Sequence, residues 1–129
     1  LEGSFGSMPG AISKGSAKFG ELAAANGMDG SAPYVGESYD AAAIIALAIQ
    51  AGGSADRKSI LSNISKVSNA PGIKINPGQL AYGLQMLADG NNIDYQGATD
   101  VEFNVFGDAA GAFKELEVSG GAFVTVGAL

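Results

Sequence analysis

The tract from Tyr34 to Gly53 constrains the fold most, because nearly every residue in its second half is apolar. The run AAAIIALAI at residues 41–49 shows no polar side, and such a helix is normally buried between a sheet and other helices. It is far shorter than the roughly 20 apolar residues that span a bilayer. The sequence therefore predicts a buried helix over Tyr34–Ala51, ended by Gly52 and Gly53, and no segment that crosses a membrane.

Three further helices are predicted from apolar residues at helical spacing. The first covers Ser13–Asn26, the second follows a cap at Ser54 or Asp56, and the third begins at Asn76–Pro77. The tract SNAPGIKINPG before the third is predicted to be a loop because of its prolines and glycines. The apolar faces consist of Phe19, Leu22 and Ala23 in the first helix, Ile60, Leu61, Ile64 and Val67 in the second, and Leu80, Leu84 and Leu87 in the third.

The helical period stops after Gly90, and short alternating runs with turn residues take its place. The segments AFKELEV and AFVTV are separated by Ser119, Gly120 and Gly121, a pattern typical of a β-hairpin. Residues 1–8 are predicted to be extended, with Pro9 closing the segment. The expected fold class is therefore α/β, with about four helices, short strands and a C-terminal β-hairpin.

Composition excludes several classes of function. The 129-residue chain contains no histidine and no cysteine, which removes the usual zinc ligands, the Ser/His/Asp triad and the Cys/His nucleophile. Its seven Lys and Arg residues are scattered among 13 Asp and Glu residues, for a net charge of −6, so no basic surface for nucleic acid is expected. The sequence predicts a protein that is not an enzyme, has no catalytic or metal-binding residue, and needs no cofactor.

Three tracts resemble a known family in order and spacing: LEGSFGSMP at residues 1–9, PYVGESYDAAAIIALAIQAGGS at 33–54, and YQGATDVEFNVFGD at 95–108. Together they resemble the C-terminal portion of a branched-chain amino acid type periplasmic solute-binding protein, which has the type I periplasmic-binding-protein fold. Two positions depart from the family pattern. Asp100 stands where longer members have a Gly-Pro pair, and Asn104 stands where an acidic residue is usual, although both residue types at 104 can cap a turn.

The resemblance implies a partial fold made of two lobes and a hinge. Residues 1–9 would be the end of one lobe and a hinge crossing, residues 10–110 the helical part of the other lobe, and residues 111–129 the hinge return and the hairpin. A lobe without its parallel-strand neighbours would expose sheet edges and the apolar face of the Tyr34–Ala51 helix, so the isolated chain is expected to self-associate.

The function implied by the resemblance is the substrate-binding component of an ABC transporter for amino acids or similar small polar solutes. Its expected partners are a small-molecule ligand and the membrane permease of the importer, and its expected location is the periplasm. The alternative is a ligand-sensing domain of the same fold in a receptor or regulator. A transmembrane or DNA-binding segment in the parent polypeptide would favour that alternative.

Two residues are predicted to bind the ligand. Tyr34 matches an aromatic position that lines the ligand cleft in related binding proteins, although a tyrosine with no ligand role would also fit. Glu37 could face the same cleft and bind an ammonium group, yet the helix dipole alone explains an acidic residue in a first turn. Tyr39 matches a neighbouring family position and is expected to be structural.

Rival functions have weaker support in the sequence. The tract DGNNID at 89–94 resembles a calcium loop, but Ile93 occupies the third ligand position and no glutamate closes the loop, so a helix end with its turn is expected. Glu115 and Glu117 would lie on one face of a strand, as a carboxylate-based hydrolase requires, but a solvated strand face explains them. The glycine-rich tract SGGAF lacks the pattern of a phosphate-binding loop.

Overall fold

The computed structural model describes residues 1–128, which form a mixed α/β fold with four helices and five strands. The elements follow in the order β1 (Phe5–Pro9), α1 (Lys14–Ala25), α2 (Val35–Gly52), α3 (Arg57–Ser68), β2 (Ile73–Ile75), α4 (Leu80–Ala88), β3 (Ile93–Tyr95), β4 (Phe113–Ser119) and β5 (Ala122–Ala128). The α/β class and the approximate helix number are as predicted.

The helices and the parallel strands β2 and β3 form one unit, called here the helical unit, from residues 13 to 103. Ile73 pairs with Ile93, and Ile75 pairs with Tyr95. Helix α2 packs against α3 and α4, of which α3 contacts β3 and α4 contacts both strands. The core consists of Ala43, Ile44, Leu47, Ala48, Val67, Ile75, Ile93, Tyr95 and Val101, with a smaller cluster of Phe19, Ala23 and Ala98 beneath α1.

Local capping sets the bounds of α1 and α3. The Ser13 hydroxyl accepts a hydrogen bond from the Ser16 backbone N–H at 3.1 Å, and the Ser16 hydroxyl accepts one from the Ser13 N–H at 2.8 Å. At α3 the Asp56 carboxylate accepts from the N–H groups of Lys58 and Ser59. Such caps satisfy donors that have no partner inside a helix. The predicted first helix is confirmed, and Asp56 rather than Ser54 caps the third helix in the chain.

Helix α2 corrects one expectation, because it is buried on one side only. Its buried face carries Asp40, Ala43, Ile44, Leu47 and Ala48, whereas Ile45 is exposed on the opposite side. The parallel sheet has only two strands, and the helical unit therefore covers a single face of α2. The predicted bounds agree to within a residue, and Gly53 ends the helix at a φ of 62°.

The segment around β2 corrects a second expectation. Residues 73–75 lie within the predicted loop, yet they form a strand because Ile75 is completely buried in the core. Helix α4 begins at Leu80 rather than at Asn76–Pro77, since Gly78 forms a turn with a φ of 82°. The predicted apolar face of this helix is correct, because its leucines pack against the core cluster.

The remaining strands form an antiparallel sheet in the order β1-β4-β5, called here the terminal sheet. The predicted hairpin is present, but Ser119 pairs with Ala122 and the turn therefore has only Gly120 and Gly121 at its centre. Both glycines have positive φ, 61° and 77°, as the tightest hairpin turns with this twist require. None of the residues 5–9, 113–119 and 122–128 is buried, so this sheet lies beside the main core and is not part of it.

Candidate ligand-binding cleft

Two cavities lie between the helical unit and the terminal sheet. One, with a volume of about 370 Å³, is lined by α1, by the start of α2 and by Lys114 of β4. The other, of about 520 Å³, is lined by Tyr34, Ile44, Val101, Phe103 and Phe113 among others. Both volumes are in the range of small-molecule sites. The two cavities share four residues, namely Pro9, Ala11, Glu37 and Thr99.

Tyr34 lies at the N-cap of α2 and lines the larger cavity. Its side chain is 61% exposed, so it is not a core residue. Its φ of 64° is in the left-handed region, which a non-glycine residue rarely adopts and which recurs at functional sites. The structure thus places this predicted residue at a cavity, and its contact with a ligand stays a prediction.

Glu37 lies in the first turn of α2 and lines both cavities. The same position is favourable for a carboxylate next to the positive end of the helix dipole. The geometry is therefore compatible with a ligand role and with a purely structural one. The two predicted binding residues lie one helical turn apart and share the larger cavity.

The strongest polar network near the cavities surrounds Asp40, which is only 2% exposed. Its Oδ1 atom accepts hydrogen bonds from the Tyr95 hydroxyl at 2.9 Å and from the Ala98 N–H at 2.8 Å. Its Oδ2 atom accepts from the Thr99 N–H at 2.9 Å and from the Thr99 hydroxyl at 2.7 Å. The carboxylate thus holds α2 against the segment after β3, where that segment meets both cavities.

The ionisation of this network follows from its burial. Removal from water raises the pKa of Asp40, and the hydrogen bonds from Ala98, Thr99 and Tyr95 offset only part of that effect. The pKa of Tyr95 is also raised, first by burial and then by the nearby Asp40 charge. Its phenol therefore stays protonated and remains a donor. All four partners donate, so their hydrogen bonds lower the pKa of Asp40 and offset part of the cost of burying its charge.

The segment after β3 is held tightly on both sides. Gly97 has a φ of 59°, and a Cβ atom at this position would collide with the Asp40 carboxylate. On the other side a Cβ atom at Gly15 of α1 would collide with the Gly97 carbonyl oxygen. Further on, the Asn69 amide donates to the Phe103 carbonyl at 2.7 Å and accepts from the Phe103 N–H at 3.0 Å. Contacts at Gly97 and at Phe103 thus hold the segment 97–103 at both ends.

Asp100 and Asn104, the two positions at which the sequence differs from the family that it resembles, both lie in turns. Asp100 has a φ of 52°, a left-handed conformation that Asp tolerates better than most residues. The Asn104 side chain accepts hydrogen bonds from the N–H groups of Phe106 and Asp108, and so caps a turn as predicted.

Sequence reasoning missed the roles of Asp40 and Asn69. A signal for Asp40 was present, because it is the charged residue directly before the apolar run of α2. No comparable signal marked Asn69, whose partner lies 34 residues away. Tyr39 has the structural role expected of it, since its ring packs 5.1 Å from that of Phe19 and its hydroxyl accepts from the Gly78 N–H.

The residues behind the rival functions lie elsewhere. Glu115 and Glu117 lie on β4, opposite Ser7 and Phe5 of β1, and neither lines the two cavities. Asp89 is the C-cap of α4 and Gly90 has a φ of 80°, which is the predicted helix end with its turn. Among residues 1–128, no three acidic side chains converge in a way that could hold a metal ion.

Comparison with known proteins found no matching family model, no matching curated protein and no matching solved structure. Within the described part of the chain, no helix has the length and apolar character needed to cross a membrane.

Proposed function

We propose that the chain is the C-terminal part of a solute-binding protein with the type I periplasmic-binding-protein fold, the substrate-binding component of an ABC importer for amino acids or similar small polar solutes. The observation that carries this proposal is the position of the two cavities. They lie where the chain passes between the helical unit and the terminal sheet, and they include both predicted binding residues, Tyr34 and Glu37.

The connections between the two units support a hinge. Residues 10–13 lead from β1 into α1, and residues 104–112 lead back to β4. These connections contain Gly10, Gly107 and Gly111, and the first two have positive φ. Hinges are commonly a few residues at the ends of elements that absorb large backbone changes. Rotation about them would open or close the cavities.

Besides a hinge, a binding cleft of this kind needs a wall that keeps its shape. The bonds from Asp40 to residues 95–99 and from Asn69 to Phe103 hold the helical side of the cleft in one shape. A preorganised wall reduces the entropy that a ligand must remove on binding. In the proposed mechanism, the ligand makes contacts with both units only in the closed state and thereby stabilises that state. In the cell, the closed form would dock on a membrane permease in the periplasm.

The test is a binding screen on the complete gene product. Thermal unfolding is measured with amino acids, small amides, sugars and carboxylic acids. A ligand at a hundred times its Kd should raise the free energy of unfolding by about 2.7 kcal/mol. Stabilisation by one chemical class would support the proposal and name the substrate class. A complete gene product stabilised by no small solute would contradict it.

A further inference from the structure

The outer edge of β5 is unusual for its lack of charge. Within residues 1–128, β5 pairs only with β4. Its seven residues, AFVTVGA, include no charged residue and no proline, and the side chains of Phe123, Val124 and Val126 are 73%, 44% and 50% exposed. Outer strands of soluble proteins normally carry charges or proline, because a bare edge pairs readily with another strand. The edge of β5 therefore lacks the usual protection.

The backbone groups of Phe123 and Thr125 point away from β4. Val118 lies opposite Phe123 in the hairpin. The N–H of Val118 donates to the Ser4 carbonyl at 2.9 Å, and its carbonyl accepts from the Gly3 N–H at 2.8 Å, both on the β1 side. The N–H and C=O of Phe123 consequently face outward. Hydrogen-bonded and non-hydrogen-bonded pairs alternate along an antiparallel ladder, so Thr125, two residues further on, points the same way.

The opposite edge of the terminal sheet, at β1, is protected. Because Ser4 bonds to β4, the same alternation turns the backbone groups of Phe5, Ser7 and Pro9 outward along β1. Proline has no N–H and therefore cannot continue the pairing with a further strand at that end. Of the two outer strands, β5 is thus the one whose outward groups can all bond to an added strand.

The geometry points to a second copy of this chain as the strand that pairs with β5. Two β5 strands related by a two-fold axis run antiparallel, so the outward groups of Phe123 in one copy can meet those of Thr125 in the other. In this register the outward groups of both residues are all bonded. It places Val124 directly opposite Val124 of the second copy.

The distribution of charge favours the same occupant. The chain has a net charge of −6, so many contacts between two copies would bring like charges together. Pairing along β5 avoids this repulsion, because neither copy of the strand carries a charge. A strand of seven residues buries less surface than the roughly 1,200 Å² of a stable interface, so the dimer should dissociate on dilution. This dimer does not depend on ligand binding in the cleft.

The test measures self-association of the 129-residue chain by sedimentation velocity over a range of concentrations. Val124→Lys and Val124→Glu each place like charges opposite one another at the two-fold axis, so each variant alone should dimerise at least tenfold more weakly. An equimolar mixture of the two variants should recover the dimer, because a lysine then lies opposite a glutamate. Native mass spectrometry should identify this species as the heterodimer.

Thr125→Pro removes one outward N–H without adding charge, and it should also weaken association at least tenfold. It decides the question if circular dichroism shows that a charged variant does not fold. Ile45→Lys is the matched control, because Ile45 on α2 is 46% exposed, close to the 44% of Val124, and it should leave association unchanged. A monomeric unsubstituted chain, an unaltered dimer in the folded β5 variants, or a mixture that stays monomeric would overturn the inference.

Discussion

Thr99 donates two hydrogen bonds to one oxygen of Asp40, from its N–H at 2.9 Å and from its hydroxyl at 2.7 Å, although the residues are 59 positions apart. Asp40 belongs to α2, whereas Thr99 lies in the segment that follows β3 and lines both cavities. This contact makes the start of α2 and the segment after β3 a single rigid wall. The shape of the cleft beside that wall therefore depends on a few buried hydrogen bonds.

Asp40→Asn should destabilise the protein by about 3 kcal/mol, because the new amide group would face donors and leave buried N–H or O–H groups unpaired. Equilibrium unfolding in urea measures this cost. Asp56→Asn makes the same chemical change at the exposed cap of α3. Since Asn caps helices as well as Asp does, this control should change stability by less than about 0.5 kcal/mol. Equal effects of the two substitutions would contradict the proposed role of Asp40.

The pH dependence of stability should have a definite sign. Burial raises the pKa of Asp40 above the ordinary 3.8 in the folded state, so folding favours the protonated acid. The contribution of Asp40 to stability is then fully present below pH 3.8 and declines as pH rises through the folded pKa. The difference in unfolding free energy between the unsubstituted protein and Asp40→Asn should therefore widen on acidification. If this free-energy difference narrowed on acidification, the four hydrogen bonds would lower the pKa of Asp40 by more than burial raises it.

Gly97→Ala should destabilise the protein by about 3 kcal/mol, which combines the cost of a left-handed residue with that of overpacking. The added methyl group would collide with the Asp40 carboxylate and lie 2.6 Å from Tyr95 Cε1. Gly53→Ala is the control, because Gly53 has nearly the same φ, 62°, and a Cβ atom added there would meet no atom within 4 Å beyond its chain neighbours. It should cost only about 1 kcal/mol. Thermal unfolding measures the stability of both variants. The loss in Gly53→Ala reports the backbone strain alone, and the additional loss in Gly97→Ala reports the collision.

Tyr34→Ala should weaken ligand binding by the complete gene product at least tenfold, because the exposed tyrosine lines the larger cavity. Tyr82→Ala, on α4 and outside both cavities, is the control and should leave affinity unchanged. Calorimetric titration with the substrate found in the screen makes the comparison. Unaltered affinity in Tyr34→Ala would remove Tyr34 from the binding site.

The isolated 129-residue chain should self-associate, as the sequence also predicts. Among residues 1–128, β1 and β5 are the outer strands of the terminal sheet and pair with no further strand, and Phe123 on β5 is 73% exposed. Light scattering at increasing concentration should show a dimer or larger species. Phe123→Ser should shift this association to higher protein concentration. Leu61→Ser, at a 74% exposed position on α3, should have a smaller effect. A monomer at all concentrations would contradict the prediction.

Local signals in the sequence were sufficient for most of the secondary structure. Helix α1 begins at Ser13 because of a capping box that spans four residues, and the hairpin turns at Gly120 and Gly121 because few other residues adopt positive φ. Strand β2 escaped prediction because three residues are too few to show a period. The position of Tyr34 at the start of α2 was also predictable, because the helix signals around it are local.

By itself, then, the sequence determined which segments become helices and hairpin strands, and it excluded functions that need histidine, cysteine or a basic surface. Tertiary structure alone decided that α2 is covered on one side and that Asp40 meets Tyr95, Ala98 and Thr99. It also decided that Glu37 and Lys114 face one cavity. The physical reason is the separation of the interacting residues along the chain. Capping and periodicity act over a few residues, whereas the contacts of Asp40 join segments more than 50 positions apart.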